Sequence, residues 1–324
     1  MQRLPIFLTF AVLLASIIAS AQTIIPGGPV SGLWTQSGSP YLIEGEITLP
    51  SNNTLTIDPG VDVIFQGTYK FIVRGILQAI GTETDSITFT TFYTYIGWRG
   101  LRFYNLNSQP DSSRLVYCVL EYGWTRGEGD DKNGGVLFAT SSDKLSITHC
   151  SFRQNHTGDI ISTTGGCSAY SGHGGAIYLN FSDVLIANCT FHENRTGNAV
   201  GAEGNRGQNA IGSTPATMGG PGGAGVSGSG GTIYSINSSP AIVSNQFLSN
   251  FTGSAEGGTG GYGGCDFTPD PQIAGDGGVG GTGVSGNGGA LCFCNSPAFL
   301  MNNLFIEHGT GSATGGDGGH GGDG

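Results

Sequence analysis

Apolar and polar residues alternate along this chain in runs of three to five, and each run then stops at a turn. Leu55-Thr56-Ile57 ends at Asp58-Pro59-Gly60, Val61-Asp62-Val63-Ile64-Phe65 follows, and Phe71-Ile72-Val73 comes next. Further on, Val184-Leu185-Ile186-Ala187 and Ala241-Ile242-Val243-Ser244 are bounded by Gly, Asn and Ser. Runs this short cannot nucleate helices, and a period of two puts alternate side chains on one face, so the pattern predicts short half-buried strands.

The strands recur. Four segments open on a glycine pair followed by apolar residues: Gly134-Gly135-Val136-Leu137, Gly174-Gly175-Ala176-Ile177, Gly230-Gly231-Thr232-Ile233 and Gly288-Gly289-Ala290-Leu291. Sixteen or seventeen residues after each second glycine stands Phe152, Phe191, Phe247 or Phe305. Three residues beyond these come Asn155, Asn194 and Asn250, with His308 in the last copy, and each copy continues into Thr-Gly. A constant arm of strands and a variable arm make one coil. A single coil cannot bury its apolar face, whereas stacked coils share a continuous core. The spacing therefore predicts an all-β, right-handed parallel β-helix, with equivalent residues in ladders about 4.8 Å apart.

The ladders can be named in advance. Phe152, Phe191, Phe247 and Phe305 form an inward aromatic stack. Two positions earlier lie Cys150, Cys189, Asn245 and Asn303, with Cys118 extending that column. Asn155, Asn194 and Asn250 turn a corner through side-chain amides bonded to the neighbouring coils, since a buried amide needs partners. Residues 41–90 repeat less regularly and are read as the first coils, with Leu33, Trp34 and Trp98 covering the end.

Composition sharpens the picture. Glycine supplies 60 of 324 residues, which disfavours helices at roughly 1 kcal/mol per position. Much of it lies in variable arms at 159–173, 198–229 and 254–287, with a further arm beginning at 312–324. In the second and third arms glycine recurs every three residues both outbound and on return, as in Gly257-Gly258-Thr259-Gly260-Gly261-Tyr262-Gly263-Gly264. Three residues per turn is the polyproline-II period. Arms of successive coils are thus expected to stack as a polyglycine-II panel, against the alternative of flexible solvated loops. The formal charge of −11, without a Lys/Arg cluster, argues against nucleic acid or an anionic membrane as partner.

The first residues predict export. Arg3, the apolar stretch Leu4–Ile18 and Ala19-Ser20-Ala21 read as a signal peptide over 1–21, cleaved before Gln22. No other segment is apolar enough to form a transmembrane helix. The expected organisation is then an N-terminal cap with the first coils over 22–130, repeats with lateral arms over 131–311, and a truncated arm over 312–324. The stop midway through an arm predicts a fragment of a longer protein.

Two family resemblances enter on these motifs. Residues 32–121 resemble the opening of secreted bacterial β-helix proteins, and residues 134–311 resemble the GGA[ILV] and FxxN repeats of polymorphic outer membrane proteins. The repeats stand here as Gly174-Gly175-Ala176-Ile177, Phe152-Arg153-Gln154-Asn155, Phe191-His192-Glu193-Asn194 and Phe247-Leu248-Ser249-Asn250. The second resemblance implies adhesion at a cell surface. Both rest on scaffold residues, which specify fold and not function.

No catalytic set emerges. Gly172-His173-Gly174 resembles the Gly-His-Gly of polygalacturonases, but Asp130-Asp131 is the one other element of that pattern present. Glu128, Asp130 and Asp131 form the densest acidic group and are a weak Ca²⁺ candidate, with a solvated turn the favoured reading. His156, His192 and His308 read as exposed polar fill. Of seven cysteines, Cys150 and Cys189 are read as free buried thiols. Cys167 and Cys265 pair only if the arms bring them together, and Cys292 and Cys294 form no metal set. Seven Asn-x-Ser/Thr triplets, at Asn52, Asn155, Asn180, Asn188, Asn194, Asn237 and Asn250, arise mostly from corner chemistry. The expected function is a secreted or cell-surface, non-catalytic scaffold for adhesion, ligand display or envelope structure, with an extracellular glycan or host-surface ligand as partner. A polysaccharide-active enzyme or glycan-binding module is the alternative.

Overall fold

The computed structural model describes residues 22–268 and 273–323; the expected signal peptide lies outside them. The described chain is all-β and is organised by three long sheets in which every pairing is parallel. The first sheet has nine strands and the other two have eight each. Within each, a strand pairs with its equivalent one coil later, as Thr190–His192 pairs with Gln246–Leu248. This is the connectivity of a parallel β-helix.

The alternation seen in the sequence decides which side chains enter the core. On the first sheet Phe89, Leu120, Phe152, Phe191, Phe247 and Phe305 occupy one inward column. From Phe152 upward the rings stack with centroids 4.8 Å apart and planes within 16°. The second sheet contributes Leu101, Leu137, Ile177 and Ile233, and the third Leu115, Ile147, Ile186 and Ile242. Because the register is strict, the inward side chains of these columns meet apolar partners in neighbouring coils, and the core is continuous. Trp98 does not cover an end. It is buried within a coil, stacked on Phe65 at 4.2 Å, and its indole N–H donates to the Glu121 carbonyl. The expectation failed because the Trp98-Arg99-Gly100 turn carries no strand signal to fix its facing. Trp34 stacks on Tyr41 at 4.6 Å, while Leu33 is exposed.

In the later coils the corners share one device. A non-glycine residue adopts positive φ, and the next side chain turns inward to accept the backbone N–H of the preceding coil. At the corner after the first sheet, Gln154, Glu193 and Ser249 have φ of 50–54°. The following Asn155, Asn194 and Asn250 are fully buried. Asn194 Oδ1 accepts from Asn155 N and Nδ2 at 3.2 and 2.9 Å, while Asn194 Nδ2 donates to Phe152 O and to Asn250 Oδ1 at 3.0 Å each. His308 takes the next place, with Nδ1 accepting from Asn250 N at 3.1 Å and Nε2 meeting Phe247 O at 3.1 Å.

Before the first sheet the column is Cys118, Cys150, Cys189, Asn245 and Asn303. Cys150 N donates to Cys189 Sγ at 3.4 Å, and Cys189 N donates to Asn245 Oδ1 at 2.8 Å. A thiol here does an amide's work, accepting an N–H and donating to a carbonyl, and burial pushes the Cys150 and Cys189 thiols well up. At the third corner Ser142, Ser182 and Ser238 form a hydroxyl ladder that the sequence motifs did not reveal.

All lateral arms leave between the first and second sheets. The connection there spans residues 44–46, 66–70, 92–100, 122–136, 154–176, 193–232 and 249–290 in successive coils, so the arms lengthen along the axis. The long ones are bonded to one another through backbone groups. In the third arm, Gly257, Gly260 and Gly263 donate to Thr314, Asp317 and His320 of the next outbound segment. Their neighbours Gly258, Gly261 and Gly264 donate to Gly223, Gly220 and Thr217 of the preceding return segment. Return glycines Gly275, Gly278 and Gly281 donate back to Gly264, Gly261 and Gly258. The three-residue period thus sends two N–H groups of every three to different neighbours and points the third side chain outward. A Cβ on Gly261 would overlap the carbonyl of Asn205, which is why these positions are glycine.

Cys167 and Cys265 do not pair; all cysteines are free thiols. The Cys167 carbonyl accepts from Ala202 N at the root of the arms, whereas Cys265 N donates to Asn209 Oδ1. Those two levels are seven residues apart along one extended arm, about 20 Å at the polyproline-II rise.

Asn194→Ala removes the acceptor of two buried donors, Asn155 N and Nδ2, so it should destabilise the fold by about 3 kcal/mol or more, read from denaturant melts. Gly261→Ala should loosen the arms, raising their cleavage by a nonspecific protease, whereas Gly318→Ala, whose Cβ would come no closer than 3.7 Å to the Gly278 carbonyl, should leave cleavage unchanged.

Candidate functional site

Glu128, Asp130 and Asp131 lie at the short 3-10 turn Gly129–Lys132. Asp131 is already committed, its two oxygens receiving Lys70 Nζ at 2.9 and 3.0 Å. Among the described residues no three His, Cys, Asp or Glu side chains are grouped to hold a metal ion. His173 accepts the Ser229 N–H at Nδ1 (2.9 Å) and stacks on Tyr234 at 4.5 Å. Burial, aided by Lys132, holds its pKa down at about 4. It is a neutral wedge at the root of a returning arm.

That return flank carries a column of outward rings on the second sheet: Phe138, Tyr178 and Tyr234, with centroids 5.3 and 5.4 Å apart and planes within 14°. Arg102 sits over Phe138 at 5.7 Å and donates to the carbonyls of Arg99 and Asn133. Burial brings its pKa down to about 10. The rings cover one another's faces, so the column offers edges and no platform for a flat ligand. Cys292 and Cys294 lie on the last strand of this sheet and register with Tyr234 and Ile236.

The outbound flank differs. The residue after each corner points outward, and the strand pairing of Trp124 with His156 and the single bridges His156 to Arg195 and Arg195 to Phe251 place these four in one column along the axis. Beside it the corner residues Tyr122, Gln154 and Glu193 form a second column. Loop 92–97 of the preceding coil overhangs both, and Thr94, Tyr95, Tyr122, Gln154, His156, Glu193 and Arg195 line a shallow depression. Arg126 fixes the overhang, stacking on Trp124 at 4.0 Å and donating to Ile96 O at 3.0 Å. Gln154 Nε2 donates to Glu193 Oε2 at 3.0 Å.

Several groups here are unspent. His156 Nδ1 donates to its neighbour's carbonyl, Thr157 O, at 3.1 Å, so Nε2 carries the free lone pair. Burial foremost, then the Arg195 cation, depresses the His156 pKa to about 4, and the ring is uncharged at neutral pH. Trp124 Nε1, a buried donor without a partner, lies outside the lining of the depression. Tyr95 is 73% exposed and meets Tyr93 edge-on at 6.0 Å, which leaves its ring face open.

His156 is therefore partly buried and not the exposed filler its sequence position suggested, and His308 is a ladder member. The signal was present in the triplets Asn155-His156-Thr157, Asn194-Arg195-Thr196 and Asn250-Phe251-Thr252: once the Asn turns inward, the next residue must turn out. The same geometry buries Asn155, Asn194 and Asn250 and removes them as glycosylation acceptors.

Comparison with known proteins identifies no family. No protein-family profile matches the chain, and no solved structure matches it. The chain is similar to Protein bark beetle of Drosophila melanogaster, 37% identical over 71 residues, which is 21% of this chain and 2% of that protein's length.

The two buried histidines set a pH dependence. An unfolded histidine titrates near 6.5, and His156 and His173 titrate at about 4 when folded. Between those values the unfolded chain takes up protons that the folded chain refuses, so the contribution of these two residues to stability should fall as pH drops from about 6.5 towards 4. Imidazole NMR signals of both residues should stay in the neutral form at pH 5.5.

Proposed function

We propose that the chain is an exported, non-catalytic scaffold, a right-handed parallel β-helix of the pectin-lyase-like kind with polyglycine-II arms, that displays recognition surfaces outside the cell for adhesion or envelope assembly. The observation that carries this reading is the bonding of the arms. Two N–H groups in three are spent on neighbouring arms, and the remaining side chains are held outward on a fixed grid, as Glu203, Thr259 and Asp317 are in one column and Arg206, Tyr262 and His320 in the next. Ordering so much glycine costs more conformational entropy than ordering any other residue. A display surface gives that expenditure a purpose, whereas a spacer needs no order.

The alternative is a polysaccharide-active enzyme, a lyase or glycosidase, or a glycan-binding module; a glycosidase needs two carboxylates flanking the scissile bond. Glu193 is the one carboxylate that lines the outbound depression, and Asp131 on the other flank is engaged by Lys70. On the scaffold reading, protein recovered from the medium of an exporting host begins at Gln22, and soluble polysaccharides incubated with it keep their chain length. Retention of the first 21 residues inside the cell would contradict export, and new reducing ends would contradict the non-catalytic assignment.

A further inference from the structure

The outbound depression has the makings of a ligand site. Trp124, His156, Arg195 and Phe251 succeed one another over four coils, a strip about 14 Å long at the usual strand spacing. Its polar groups are of both kinds. No hydrogen bond or ion pair engages the Arg195 guanidinium among the described residues, and the side chain is exposed at the rim. His156 Nε2 is a free acceptor, and the Glu193 carboxylate and Gln154 amide stand beside them. One open aromatic face, that of Tyr95, closes the overhanging side. Donors and acceptors interleaved under an aromatic ring match a ligand that is hydroxyl-rich on its edges and apolar on its faces.

Charge narrows the class. The cations Arg126 and Arg195 and the carboxylate Asp159 all lie close enough to act on His156, and a second carboxylate, Glu193, lines the rim. The local charges cancel, while the chain as a whole carries −11, a field that repels polyanions at long range. The two aromatic systems of the molecule differ in the way this requires. Phe138, Tyr178 and Tyr234 hide their faces against one another, but Tyr95 does not.

We infer that the depression lined by Tyr95, Tyr122, Gln154, His156, Glu193 and Arg195 binds a neutral, unbranched glycan lying along the solenoid axis, with Tyr95 stacking on a sugar face and Arg195 and His156 bonding to hydroxyls. This rests on the scaffold reading in that the site binds and does not cleave.

The test is calorimetric titration of the mature chain with neutral unbranched glucan, mannan and xylan oligosaccharides, beside polygalacturonate and heparin, with reducing ends assayed in parallel. At least one neutral oligosaccharide should bind. Tyr95→Ala and Arg195→Ala, both at exposed positions and checked for unchanged melting, should each weaken it about tenfold or more, while Met218→Ala on a distant arm should not. Binding that survives both substitutions, binding confined to the polyanions, or no binding to any of the panel would overturn the inference and leave the scaffold reading standing. Release of reducing ends would instead sink the scaffold reading while leaving the site in place.

Discussion

Every coil of this protein leaves backbone groups that only the next coil can satisfy. The strands do this through ordinary parallel pairing, but the corners pose the harder problem, because there the chain bends inward and a backbone N–H is carried out of reach of water. A buried donor without a partner costs about 1–3 kcal/mol, and the cost would recur at every coil. The solution is one rule applied with three chemistries. A residue in the left-handed region points the following side chain inward, and that side chain accepts the N–H of the coil before it. Amide, thiol and hydroxyl all serve, at Asn194, Cys189 and Ser182 respectively. The thiols are the least expected members, since Cys150 and Cys189 hold places that Asn245 and Asn303 fill one and two coils on.

The arms extend the same logic sideways. Glycine in their interiors has no side chain with which to bury surface, so hydrogen bonds between segments must hold them. The root of each arm is clamped to the solenoid: the Gly172 carbonyl accepts from Thr157 Oγ1, and Gly197 N donates to the same hydroxyl. The arms are long only in the later coils, and the earlier connections at 92–100 and 122–136 are too short to reach their distal ends. The outbound depression forms at this transition, where a short aromatic loop overhangs the roots of the lengthening arms. Its shape is a consequence of unequal arm length and not of a separate binding domain.

Much of this was legible in the sequence, for physical reasons that can be stated. Strict coil repetition made the phenylalanine and asparagine columns readable, because a shift of one residue would turn every inward side chain outward. The glycine pairs were readable too: Gly174 sits at φ 69°, and a Cβ on Gly175 would overlap the Gly231 carbonyl. What escaped was whatever depends on irregular turns. Trp98 lies in a loop without alternation, so nothing in its neighbours indicated that it is buried against Phe65. Ser142, Ser182 and Ser238 were hidden because serine is common in turns whatever its role. The outbound site was missed because its residues share no type. Trp124, His156, Arg195 and Phe251 share only the place after a corner, and that place has meaning only once the preceding residue is known to face inward.

The arms are an ordered continuation of the solenoid, bonded segment to segment through their backbones. Hydrogen–deuterium exchange of their glycine amides tests this most directly, because amides held in a bonded lattice open only with the structure around them, whereas those of a solvated loop exchange freely. Gly257, Gly258, Gly260 and Gly261 should be protected to a degree comparable with the first-sheet amides of Phe191 and Phe247. Exchange of those four at the rate of an unstructured peptide, with the sheets still protected, would contradict the account and reduce the arms to flexible decoration on a β-helix.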